Sequence, residues 1–229
     1  MSVDCKIAVV IPAYNEAASI GKVLAALPDT VYQTVVTDNA STDATAMVAK
    51  EGGATVLTEN RKGYGYACLK ALEYLPKDPP DIVVFLDGDY SDYPEELPLL
   101  TTPIRKGLVD FVVGVRSAKG REKGSLTPQQ RFGNALACTL MRWLYGSTFS
   151  DLGPFRAIRW NRLQELKMVD KTYGWTVEMQ LKILRHKISY KEVDVRYRKR
   201  IGQSKVSGTV KGTIFAGIKI IGWIVKYYF

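Results

Sequence analysis

Asp81-Ile-Val-Val-Phe-Leu-Asp87-Gly-Asp89 is the stretch on which the fold turns. Its apolar run, Ile82–Leu86, has the length and β-branched content of a strand buried on both faces, and it leads straight into two carboxylates. Carboxylates at i and i+2 just past a strand end can both reach one oxygen-loving cation, Mg²⁺ or Mn²⁺. Such an ion bridges the phosphates of a nucleotide and neutralises the charge building on a departing diphosphate. Asp-Gly-Asp is also an ordinary surface turn, so the pair gains meaning only from its place among neighbouring elements.

Those neighbours have the same character. Short apolar runs recur at Ile7–Ile11, Thr34–Thr37, Ala54–Leu57 and Asp110–Gly114, with Asp81–Leu86 fourth in order. Amphipathic segments near 16–27, 43–51, 64–75 and 94–106 separate them. Strand-helix alternation predicts an α/β fold: a mostly parallel, Rossmann-like central sheet flanked by helices, with ligands at the carboxyl ends of its strands. Beyond it, Ser117–Gln130 reads as a Gly/Lys/Ser/Pro loop, followed by a helix over Arg131–Tyr145. A helix over Thr176–His186, a strand over Ile188–Val195 and a basic segment, Arg196–Lys205, complete the pattern. There is no internal repeat and no boundary dividing residues 1–229, so one domain is expected, with 196–229 a basic segment plus a C-terminal amphipathic helix.

Composition bounds the rest. The chain has 229 residues, 46% hydrophobic and 24% charged, ordinary for a globular enzyme and unlike a disordered chain. The net charge of +9 points to an anionic partner: a phosphorylated substrate, anionic lipid or nucleic acid. Cys5, Cys68 and Cys138 form no metal or redox spacing, so a reduced, cytosolic setting is expected. Lys6–Ile11 is too short for a signal segment, and no secretion signal is expected. Lys211, Lys219 and Lys226 interrupt the last helix, Val210–Phe229, making it a poor membrane span. Two readings of it stay open: an amphipathic helix lying in a membrane interface, with Trp223, Tyr227 and Tyr228 at headgroup depth, or a helix packed on the core.

Two further clusters follow strands: Pro12-Ala-Tyr14-Asn-Glu16 and Asp38-Asn39-Ala-Ser41-Thr-Asp43. Asp38 or Asn39 could hydrogen-bond a base or ribose and Tyr14 could wall the base, while Ser41 suits a helix N-cap.

Together, Val10-Ile-Pro12-Ala-Tyr14-Asn-Glu16, Val35-Val-Thr-Asp38-Asn-Ala-Ser41-Thr-Asp43, Asn60-Arg-Lys-Gly63-Tyr-Gly65 and Asp87-Gly-Asp89 resemble the family-2 glycosyltransferases of GT-A fold. The resemblance covers roughly residues 7–200. It implies that Pro12, Tyr14, Glu16 and Asp38 hold the nucleobase and ribose, with Asn39 beside them. Arg61 or Lys62 and the turn at Gly65 would lie along the nucleotide. Asp87 and Asp89 would serve the metal, Mg²⁺ or Mn²⁺, and the ribose. Asn39-Ala40 replaces the usual Asp-Gly pair, and Ser91 stands where polyprenyl-phosphate sugar synthases often have glutamine.

Within the family the chain is most similar to polyprenyl-phosphate hexose synthases. Arg116 and Arg131 bracket the loop, and Asp151-Leu-Gly-Pro-Phe155-Arg-Ala and Arg200-Ile-Gly-Gln-Ser204-Lys205 are close to motifs of that group. Arginines and a lysine converging on phosphates make chemical sense, because guanidinium binds phosphate oxygens bidentately. The implied reaction is inverting transfer of a hexose from a UDP- or GDP-sugar to a polyprenyl phosphate or other lipid, at the cytoplasmic face of a membrane. An ionised phosphate acceptor needs no general base. A hydroxyl acceptor would, and Asp151 and Glu178 are the candidates. The alternatives are a sugar-phosphate nucleotidylyltransferase, which wants a Gly-rich basic loop where Pro-Ala-Tyr-Asn-Glu stands, a nucleic-acid-binding module and an inactive membrane scaffold. The basic residues concentrate after residue 115, beside ligand loops, which argues against nucleic acid as the partner.

Overall fold

The structure, a computed structural model, describes residues 5–202 and 210–228, the side chains of 210–216 excepted. In chain order the elements are β1 (Ile7–Ala13), α1 (Ile20–Ala25), β2 (Gln33–Asp38), α2 (Thr45–Glu51), β3 (Thr55–Thr58), α3 (Tyr64–Tyr74), β4 (Ile82–Phe85), α4 (Leu97–Arg105) and β5 (Phe111–Val115). They continue with α5 (Pro128–Tyr145), β6 (Arg156–Arg159), α6 (Trp160–Leu166), α7 (Trp175–Arg185), β7 (Tyr190–Asp194) and α8 (Val210–Tyr228).

The strands form one sheet in the order β3-β2-β1-β4-β6-β5-β7. Strands β1, β2, β3 and β4 pair in parallel, as do β5 and β7, while β6 runs antiparallel to both neighbours. The sheet is therefore mostly parallel, as the alternation predicts. Continuous apolar strands are explained by helices on both faces. Ala8 and Val10 point into one core with α3, α5 and α7, and Ile7, Val9 and Ile11 into another with α1 and α4.

Strand β6 and helix α6 are absent from the sequence reading. Four residues, Arg-Ala-Ile-Arg, carry too little apolar signal for a buried strand, yet Arg156 is completely buried. Helix α5 starts three residues earlier than predicted, because Thr127 and Gln130 form a reciprocal capping box ahead of Pro128. The C-terminal helix packs inward through Ile224, Trp223 and Tyr227, with the Tyr145 hydroxyl donating to the Ile224 carbonyl at 2.5 Å. Its outer side, with Ile218, Val225 and Tyr228, is exposed. Among the described residues no helix is long and apolar enough to cross a membrane.

Topology decides where chemistry collects. Because β4 and β5 are both antiparallel to β6, the loops after β1, β2, β4, β5 and β7 and the loop before β6 all emerge at one edge of the sheet. The residues around 14–16, 38–43, 87–92, 116–127, 151–155 and 196–202 meet there.

Candidate active site

Two clefts open along that edge. The first, about 310 Å³, is lined by Pro12, Tyr14, Glu16, Asn39, Lys62, Tyr64, Asp87, Asp89, Thr172, Tyr173 and Arg200 among others. Strand β4 delivers Asp87 and Asp89 to its floor. The Tyr64 hydroxyl donates to Asp87 at 3.1 Å. Burial, with the neighbouring Asp89 charge, pushes the Asp87 carboxyl up to about 7. Asp89 accepts from the Ser91 amide at 2.9 Å and the Ser91 hydroxyl at 2.5 Å, and its other oxygen lies 3.2 Å from Arg200. Ser91 thus orients the aspartate. Arg200 also donates to Glu16 at 2.9 Å, so one guanidinium bridges two acids at the cleft.

Among the described residues no group of three or more acids, histidines or cysteines could hold a metal ion by itself. Two carboxylates on one cleft floor, already drawing a cation in Arg200, instead suit Mg²⁺ or Mn²⁺ completed by substrate phosphates.

Several predicted donor residues take other duties. The Asn39 side-chain amide donates to the carbonyls of Glu59 at 3.0 Å and Arg61 at 2.8 Å, and its oxygen accepts from Gly63. Asn39 is therefore committed to shaping the 59–63 turn. Arg61 points out of the cleft: it grips Glu59 at 2.7 and 2.9 Å and stacks on Tyr66. That pairing holds the Glu59 carboxyl down at about 2. Of Arg61 and Lys62, it is Lys62 that reaches the cleft, donating to the Tyr14 hydroxyl at 3.1 Å. Asp38 is buried at the end of β2, and its Oδ1 has no partner among the described residues. Gly65 sits behind the cleft wall, where a Cβ would overlap the Asp170 carbonyl.

The second cleft, about 540 Å³, lies between the 117–127 loop and the first turns of α5. Arg116, Arg121, Arg131, Phe132, Asn134 and Asp151 line it. Arg116 clasps Asp151 through Nε at 3.0 Å, the second guanidinium nitrogen at 2.5 Å and its backbone amide at 2.8 Å. Both Asp151 oxygens are consumed, which corrects its reading as an available base. Glu178 is corrected more fully. It is buried in the first turn of α7, accepts from the amides of Val169 and Asp170, and pairs with Lys182 at 2.7 Å. It lines neither cleft and braces the 167–170 loop. Ser204 and Lys205 lie outside the described residues.

Three residues of the site carry almost no sequence signal. Tyr64 stands inside the Gly63–Gly65 turn, where nothing in the sequence marks its hydroxyl as the partner of Asp87. Asp92 is buried with neither oxygen partnered among the described residues, in electrostatic reach of Asp87 and Asp89 on one side and Arg116 and Asp151 on the other. Burial pushes its carboxyl well above the usual range. Arg156 donates to the carbonyls of Leu152, Gly153 and Thr176, fixing the loop that carries Asp151. Only the place of Arg156 inside the Asp151-Leu-Gly-Pro-Phe155-Arg-Ala motif hints at this.

Comparison with known proteins accords with this geometry. The family model described as glycosyl transferase family 2 matches residues 8–167. An uncharacterized glycosyltransferase of Mycobacterium tuberculosis is 36% identical over 212 residues, 92% of this chain and 94% of that protein. A dolichyl-phosphate hexose transferase of Haloferax volcanii is 33% identical over 94% of this chain and 90% of its own length. An undecaprenyl-phosphate mannosyltransferase of Micrococcus luteus is 27% identical over 95% and 93%. In fold, the chain is similar to glucosyl-3-phosphoglycerate synthase of Mycobacterium tuberculosis crystallised with Mn²⁺, UDP-glucose and phosphoglyceric acid, with TM-score 0.78, 22% identity, and coverage of 98% of this chain and 80% of that one. A GT-A sheet with paired aspartates after its fourth strand, the family model and relatives matched along nearly their whole length lead to one assignment: the chain is a glycosyltransferase and belongs to glycosyl transferase family 2.

Proposed function

We propose that the chain transfers a hexose, with inversion, from a UDP- or GDP-sugar to a polyprenyl phosphate. The observation that carries the reading is the second cleft: three arginines line it, and the carboxylate on its wall, Asp151, is already neutralised by Arg116. A cleft so built attracts an anion and offers no carboxylate to deprotonate a hydroxyl. An ionised phosphate needs none. Two similar proteins are named for lipid-phosphate acceptors.

The donor would occupy the first cleft, with its base against Pro12 and Tyr14 and its diphosphate toward Asp87, Asp89 and Lys62. Asp87 and Asp89 would hold Mg²⁺ or Mn²⁺, which when bound offsets the charge gathering on the departing diphosphate. Arg200 is placed to add guanidinium donors to the same phosphates. Arg131 and Arg121 would orient the acceptor so that its phosphate oxygen attacks the anomeric carbon. The carbon–oxygen bond to the diphosphate breaks on the opposite face, and the electron pair leaves with UDP or GDP. A peripheral membrane position would suit the exposed apolar side chains of α5 and α8: Phe132 and Trp143 are 71% and 77% exposed, and Ile218, Val225 and Tyr228 are exposed on α8.

Arg131→Ala tests the acceptor assignment. The KM for a short-chain polyprenyl phosphate should rise about tenfold, the worth of one charge-assisted hydrogen bond, with the KM for the sugar nucleotide in place. An unchanged acceptor KM, or a change confined to the donor, would contradict it.

A second reading, a hydroxyl on a small phosphorylated acid as acceptor, draws on the fold likeness to glucosyl-3-phosphoglycerate synthase. Asp92, the buried acid without a partner among the described residues, would then be the candidate base.

A further inference from the structure

The loop between α6 and α7 is gripped from two sides. On one side, Thr172 and Tyr173 line the first cleft, and the loop backbone meets the glycine turn. The Gly65 amide donates to the Thr172 carbonyl at 3.3 Å, and the Tyr66 amide to that of Lys171 at 3.0 Å. The approach is so close that a Cβ on Gly63 would overlap the Lys171 carbonyl. Tyr64, between these glycines, carries the hydroxyl that holds Asp87.

On the other side the loop is fastened to α8. Asp170 is 2% exposed. One of its carboxylate oxygens accepts from the amides of Thr172 at 2.7 Å and Gly174 at 3.0 Å. The other accepts from the Trp223 indole at 2.7 Å and pairs with Lys219 at 3.0 Å. Lys219 also donates to the Thr172 hydroxyl at 2.8 Å. Gly174 passes so near Trp223 that a Cβ there would overlap the indole nitrogen.

We propose that Trp223 and Lys219, acting through Asp170, are positioning residues by which the C-terminal helix sets the wall of the donor cleft. The inference rests on the first cleft being the nucleotide site. A buried carboxylate with its oxygens shared between two backbone amides and two side chains of α8 transmits the position of that helix to Thr172, and through the glycine turn to Tyr64 and Asp87. Because coupling is reciprocal, nucleotide binding must also steady α8.

The test is hydrogen exchange over residues 217–228, read by mass spectrometry with Mn²⁺ and saturating UDP or GDP, alongside nucleotide titrations of wild type, Trp223→Phe and the milder Lys219→Met. Nucleotide should slow exchange in α8 of the wild type. Either substitution should weaken nucleotide binding about five- to tenfold and abolish that slowing, with kcat at saturating donor within about twofold. Nucleotide binding with unchanged α8 exchange, or wild-type affinity in Lys219→Met, would overturn the proposal while leaving the donor site standing. Failure of the wild type to bind either nucleotide would overturn the donor reading, and this inference with it.

Discussion

Asp87 shows how much of the site depends on a single residue's surroundings. Its carboxyl is raised from 3.8 to about 7 because it is buried beside Asp89. The sign follows from linkage. Between these values the folded chain holds a proton that the unfolded chain has released, so this group makes the metal-free protein less stable as pH rises through that window. Asp92 is raised as well and acts in the same direction. A divalent cation at Asp87 and Asp89 would reverse the penalty for Asp87 and compete with its proton. Thermal unfolding with UDP or GDP present should therefore show a Mn²⁺-induced gain in Tm that is small at about pH 5.5 and largest near pH 8. The gain should vanish in Asp89→Ala, and a gain independent of pH would contradict the assignment. At this scale the gathering of Glu16, Asp87, Asp89 and one of Arg61 and Lys62 at a single cleft was legible in the sequence, because loops after parallel strands are where this fold puts ligands. The commitments of Asn39 to the 59–63 turn, Asp151 to Arg116 and Glu178 to two loop amides were not, since each partner is distant in sequence or a backbone group without a sequence signature.

Among the elements, β6 carries the largest departure from the sequence reading. It sits between two strands that run opposite to it, and its first residue is a buried arginine bound to three backbone carbonyls. A helical or strand pattern is written in apolar side chains, and a four-residue strand flanked by arginines writes almost none. The capping box at Thr127 is the opposite case: it was present in plain sight as Thr-Pro-Gln-Gln and places the start of α5 at Pro128. Arg156→Met should leave the loop carbonyls of Leu152 and Gly153 unsatisfied in the core, while that of Thr176 keeps its place in the α7 ladder. At about 1–3 kcal/mol for each buried unpaired group, a net loss on the order of 3 kcal/mol is expected. For a chain of this size that lowers Tm by roughly 6–12 °C, measurable by scanning calorimetry. A shift under about 2 °C would mean that water replaces the guanidinium without cost.

Across the whole molecule, one antiparallel strand in a parallel sheet brings an acidic cleft and a basic cleft to the same edge, with Asp92 between them. The doubly wound sheet was legible because alternation of apolar strands and amphipathic helices leaves few other folds. The joining of α8 to the donor wall was not, because Asp170 and Trp223 read separately as a loop acid and an amphipathic-helix aromatic. The net charge of +9 and the exposed aromatics of α5 and α8 would serve the proposed lipid-phosphate acceptor. The proposed reaction is transfer of a hexose from a nucleotide sugar to a phosphate. Its most direct test gives purified protein Mn²⁺ with UDP-glucose or GDP-mannose, with and without a short-chain polyprenyl phosphate, and measures UDP or GDP release. Release that depends on the lipid phosphate is the predicted result. No release from either donor, or release stimulated only by a hydroxyl acceptor such as phosphoglyceric acid, would contradict it.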